Sequence, residues 1–92
     1  MYRPAQPAKV AWDRHAVGSQ RRTVRFFFYS GDRDEPQHVH VAHGDKIAKF
    51  WLDPVRMQRS GGLRRAEIRQ IQRIIDQNRT FLQEAWRDYF DD

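Results

Sequence analysis

Ninety-two residues can enclose one hydrophobic core and are too few for two, so a single domain spanning residues 1–92 is expected. With 39% hydrophobic and 32% charged residues and twelve aromatic rings the chain has the apolar mass to fold, and the lack of cysteine excludes a disulfide framework or a thiolate metal site and fits a reducing, cytoplasmic setting. The net charge of +5 comes from residues 1–60, with eleven Lys/Arg against six Asp/Glu, whereas residues 61–92 hold six of each; such a bias favours an anionic partner (RNA, DNA or an acidic protein) or serves solubility alone.

Residues 1–9 contain two prolines and few apolar groups and read as a flexible lead-in, without the apolar core of an export signal. No later stretch approaches the roughly 20 apolar residues that span a bilayer, so the sequence argues against membrane insertion. The sheet-forming region is expected over 10–55. Val10-Ala11-Trp12 is a candidate first strand, Gly18-Ser19-Gln20 a turn, and Thr23–Ser30, dense in β-branched and aromatic residues, a strand. Gly31–Pro36 reads as a loop. His38–His43 and Lys46–Leu52 flank Gly44-Asp45 as a hairpin. Alternation puts Ala48, Phe50 and Leu52 on one face and Ile47, Lys49 and Trp51 on the other. Asp53-Pro54 stops the strand, and Ser60-Gly61-Gly62 forms a loop.

The helical region is expected over 63–90. Ile68, Ile71, Ile75, Leu82, Ala85 and Tyr89 recur at helical spacing. An unbroken helix from Arg65 to Phe90 would measure about 39 Å against a domain diameter of roughly 30 Å, which favours two helices broken near Asn78. Thr80 and Gln83 there match the T-x-x-Q capping pattern, and Asn78 tolerates left-handed geometry. The acidic end, Asp88 to Asp92, opposes the helix dipole and predicts fraying. The fold expected is α+β, with a small antiparallel sheet of three or four strands packed against one long or two consecutive C-terminal helices.

Chemistry concentrates in His38, His40 and His43. On a strand His38 and His40 point to one side, about 7 Å apart, while His43 points to the other. Such a pair can pack as structural imidazoles, or exchange a proton with a phosphodiester. It can also share a metal if one more ligand joins, with Asp32, Glu35 and Asp45 nearest. Arg21, Arg22, Arg25, Lys46 and Lys49, interleaved with aromatic residues, form a candidate nucleic-acid surface. Arg65, Arg69 and Arg73 make a helical ridge that reads as a solvated face, and Trp51 and Trp86 read as packing residues. No P-loop, dinucleotide fingerprint or nucleophile elbow is present.

Arg25-Phe26-Phe27-Phe28-Tyr29-Ser30, Glu35-Pro36-Gln37-His38-Val39-His40-Val41 and Ala48-Lys49-Phe50-Trp51-Leu52-Asp53-Pro54-Val55, with Glu67–Ile71 and Glu84-Ala85-Trp86, resemble the domain-of-unknown-function family 4160 over about residues 23–90. The chain departs from that pattern at Gln37, where the family often has Pro, and at Arg64-Arg65, where a Ser-Pro helix start is usual, which removes an N-cap. The resemblance implies a small prokaryotic protein, often encoded beside members of domain-of-unknown-function family 2442 in a pair that is similar to a toxin–antitoxin module.

Together these readings point to a toxin–antitoxin component that binds RNA through its basic sheet face. Its partner would be RNA or DNA and a cognate toxin or antitoxin protein. If it cuts RNA, His38 and His40 would be proton donor and acceptor, with Arg25 or Lys49 steadying the phosphorane; no metal and no cofactor are assigned. The alternative is a non-enzymatic module that docks an acidic protein or nucleic acid, the histidines then being structural.

Overall fold

In the computed structural model the elements run β1 (Pro7–Val17), β2 (Arg22–Tyr29), a 3-10 turn (Ser30–Asp32), β3 (His38–His43), β4 (Lys46–Leu52), β5 (Val55–Arg59), α1 (Arg65–Gln77) and α2 (Arg79–Phe90). The structure describes residues 7–17 and 22–90, with side chains from residue 24 onward. The strands form one antiparallel sheet in the order β1-β2-β3-β4-β5, so each pairs with its neighbour in the chain. The α+β fold with two consecutive C-terminal helices is the one expected.

Two strand limits differ from the expectation. β1 begins at Pro7, inside the segment expected as a lead-in, and its pairing with β2 is interrupted by register shifts. β5 is the fifth strand. Asp53-Pro54 does not end the sheet but forms a two-residue turn, with a cis bond, between paired Leu52 and Val55. Val55 and Met57 alternate with Arg56 and Gln58, but two apolar residues in five are a weak strand signal, and pairing with β4 is what defines this strand.

The β3–β4 hairpin closes on Gly44 at φ 65°, the left-handed geometry expected of this turn. Gly61, at φ 63°, allows close approach of backbone to backbone: a Cβ there would collide with the carbonyl of Ile47. The 60–62 loop is thereby seated against β4, and Leu63 enters the core behind it.

Both helices lie on one face of the sheet. Val24, Phe26, Phe28, Val39, Val41, Ala48, Phe50 and Leu52 project there, all fully buried, against Ile71, Ile75, Leu82, Ala85 and Trp86. Period two on the strands meets period 3.6 on the helices, which is why the predicted stripe and the predicted sheet face coincide in one core. No helix among the described residues is long and apolar enough to cross a membrane.

The helix ends correct three details of the sequence reading. α1 has no Ser cap, but Glu67 Oε1 accepts a hydrogen bond from the Arg64 backbone N–H at 3.0 Å, half of a capping box supplied from its third residue. Asn78 makes the break at φ −123°, not in left-handed geometry. Its Nδ2 donates to Ile74 O at 2.8 Å and its own carbonyl accepts from Leu82 N at 3.0 Å, so Thr80 lies inside α2 instead of capping it. Among the described residues the acidic end of α2 keeps helical geometry to Phe90, where Arg33 Nη2 donates to Phe90 O at 2.9 Å and brings positive charge to the dipole's negative end; Asp91 and Asp92 of the segment expected to fray lie outside the described residues.

Candidate functional site

The sheet face turned away from the helices carries two cross-strand rows. In one, Phe27, His40, Lys49 and Arg59 are successive register partners; in the other, His38, Trp51 and Arg56 are. Arg25, paired with Ala42, continues this face toward Ile47. Alternation along β3 thus sets His38 and His40 on one side and His43 on the other, as the spacing predicts.

The 3-10 turn after β2 folds Asp32 back over this face. Asp32 Oδ2 accepts from Tyr29 N at 3.0 Å and from His40 Nε2 at 3.0 Å, and His38 Nε2 also stands 3.0 Å from it. Of the three acids near the histidine pair, the turn therefore selects Asp32. Asp45 is exposed in the hairpin turn. Glu35 accepts from Lys49 Nζ at 2.6 Å; this bond, more than any other contact, holds its carboxyl below the ordinary range, opposed by desolvation.

Rings close the site from several sides. Phe27 stacks on His40 at 5.6 Å between centroids and Tyr29 meets it edge-on at 4.5 Å. Trp51 and Trp86 contact His38 at 5.7 and 5.0 Å. Consequently His38 is 0% and His40 only 8% exposed. Burial is the main cause lowering the His40 pKa, only partly opposed by Asp32, because charging an enclosed imidazole forfeits hydration. Enclosure leaves His38 no surface on which to meet a phosphodiester.

The two ring nitrogens of His38 face different surroundings. Nδ1 lies 2.8 Å from Pro36 O; a carbonyl only accepts, so Nδ1 carries the proton. Nε2 is fully enclosed and makes no hydrogen bond among the described residues, since Asp32 Oδ2, though close, lies out of line. His43, on the helix side, sits 3.1 Å from Glu67 through Nδ1. The Glu67 pKa is lowered first by its bond to Arg64 N and further by His43 and Lys46.

The five cations expected to bind nucleic acid do not form one cluster. Arg21 and the Arg22 side chain lie outside the described residues. Arg25 is exposed on the outer face. Lys49 shares that face but is buried, paired with Glu35 and placed 4.9 Å over the Trp51 ring. Lys46, the register partner of His43, belongs to the helix side. In their place the structure brings Arg56 and Arg59 of β5 to the outer face, both exposed and without an ion pair among the described residues. No local signal marks them, because pairing with β4 is what makes their segment a strand. Trp86 packs in the core as expected, whereas Trp51 is half-buried on the outer face.

The sequence profile of the domain of unknown function DUF4160 matches residues 24–87. The chain belongs to the DUF4160 family. That match begins in β2 and ends in α2, so it takes in the Asp32–His38–His40 cluster, β5 and both helices, while β1 precedes it. No curated protein and no solved structure matches this DUF4160 chain.

Proposed function

We propose that this DUF4160 protein is a toxin–antitoxin-type binding module that takes single-stranded RNA across the outer face of its sheet without cleaving it. The observation that carries this reading is the composition of that face beyond the buried histidines. Trp51 and Tyr29 are half-buried there, and Arg25, Arg56 and Arg59 stand exposed around them with no acid paired to them among the described residues. Flat rings accept unpaired bases of any sequence by stacking, while guanidinium groups hold the intervening phosphates. The strong positive bias of the sheet half supports encounter with a polyanion. The enclosure of the imidazoles supports binding without cleavage: His38 is fully buried and His40 Nε2 is engaged with Asp32.

Fluorescence anisotropy of a labelled single-stranded RNA, titrated at several salt concentrations, tests this. The wild-type protein binds with a salt dependence of several phosphate contacts, and the RNA is recovered intact. Arg56→Ala and Arg59→Ala, both at exposed positions, each weaken binding and reduce the slope of log K against log salt by about 0.7, the value for one phosphate contact on a single strand. Unchanged affinity in the double variant would sink the proposal. So would chelator-insensitive RNA cleavage that disappears in His40→Ala.

A further inference from the structure

We infer that Asp32, His38 and His40 form a binding site for a divalent first-row transition metal ion, with Asp32 Oδ2 and the two Nε2 atoms as ligands. The inference is independent of RNA binding. It begins from a conflict in the local electrostatics. The Pro36 carbonyl fixes the His38 proton on Nδ1, so in the neutral ring the Nε2 lone pair is directed into an enclosed space 3.0 Å from a carboxylate oxygen. Two electron-rich atoms at that separation repel unless a cation lies between them. A proton on Nε2 would give an ion pair with Asp32 but no in-line hydrogen bond. A metal ion placed to the side of the N···O line would meet both lone pairs.

The spacing fits that cation. The three ligand atoms lie within 4.8 Å of one another, and the carboxylate oxygen is 3.0 Å from each imidazole nitrogen. Two bonds of about 2.1 Å span about 3.0 Å at a right angle and at most about 4.2 Å, so a gap between the two Nε2 atoms near the 4.8 Å bound closes slightly on the ion. The surroundings of His38 also match: a metal-bound imidazole ordinarily donates its other N–H to a carbonyl or carboxylate, as Nδ1 does to Pro36 O. Asp32 Oδ2 also accepts from Tyr29 N–H, which leaves its second lone pair for the ion. At His40 the metal takes the place of the Nε2 proton that now binds Asp32, and the neutral ring carries its proton on Nδ1 instead.

Two imidazoles and one carboxylate suit zinc, iron or cobalt ions better than magnesium or calcium. Three protein donors leave positions for water, on the side where Asp32 and His40 retain a little exposure. The ligands come from the 3-10 turn and β3, so the ion ties the turn after β2 to the centre of the sheet. The lack of cysteine, which excludes thiolate ligation, has no bearing on this donor set.

The test uses the full chain, stripped with chelator and titrated with Zn2+ and Co2+ by calorimetry. One ion binds per chain, Co2+ develops visible d–d absorption, and Tm rises by about 5 °C or more at tenfold excess over Kd. Asp32→Asn, which keeps the size of the side chain and an acceptor for Tyr29 N–H, weakens binding at least about tenfold, no less than loss of an outer-shell partner. Nitrogen-15 spectra of the wild-type histidine rings give a readout independent of any variant. Zn2+ shifts Nε2 of His38 and His40 and leaves His43 unmoved. Failure to bind one ion per chain, an Asp32→Asn affinity equal to wild type, or shifts confined to His15 or His43 would each overturn the inference.

Discussion

The two faces of the sheet are buried by different physics. On the helix side, eight strand residues from Val24 to Leu52 are fully enclosed and apolar, and their contribution follows from area removed from water, about 1.5–3 kcal/mol per large side chain. On the outer side the enclosed groups besides Phe27 are His38, His40, Lys49 and Asp32, each of which costs free energy to bury and needs a partner to offset it. Volume governs the first face and pairing the second. A polar cluster kept inside a small domain despite that cost is where function is sought first, and the same contrast makes the faces respond differently to substitution.

The largest effect belongs to the apolar face. Phe50→Ala, at a fully buried position, should lower unfolding free energy by about 3–5 kcal/mol through lost transfer energy and the residual cavity, measured by urea denaturation. Asp32→Ala should cost less, about 2 kcal/mol in chelator, because it strands the Tyr29 N–H and the His40 Nε2–H without an acceptor. A loss equal to that of Phe50→Ala would break the contrast between the faces, and a gain in stability would sharpen it by showing that the cluster is retained against stability.

The smallest effect is the pH dependence. The folded pKa of His40 lies below its ordinary 6.5, so between the two values the unfolded chain binds more protons. Stability from this group is complete above about pH 6.5 and is lost as pH falls through the folded value. Glu35 and Glu67, also lowered, act in the same direction at more acid pH, below their ordinary 4.5. Urea midpoints of the metal-free protein should therefore fall from pH 8 to pH 5. His40→Gln should flatten the part of that decline nearest neutrality.

Much of the fold is legible because periodicity is a local property. The alternation in Lys46–Leu52 separates Ala48, Phe50 and Leu52 from Lys49 and Trp51 before any coordinates exist, and the spacing from Ile68 to Tyr89 identifies the covering helices. The same rule places His38 and His40 together and His43 apart. Legibility ends where an element depends on its neighbours. Val55–Arg59 carries too few apolar residues to declare a strand and becomes one through hydrogen bonds to β4. Arg56 and Arg59 reach the outer face only through that pairing. Likewise, nothing local reveals that Arg33 would steady the last turn of α2, 57 positions away.

The site shows the same division. Residue order alone determined that two imidazoles share one sheet face and that three acids stand near them, because side-chain direction on a strand follows from the chirality and pleat of the backbone. Only the tertiary structure decided that Asp32 is the acid that meets them, that Lys49 is engaged by Glu35, and that rings from β2, β4 and α2 shut the imidazoles from water. Those outcomes depend on how a turn and a distant helix pack against the sheet, and distance through space is not a function of distance along the chain.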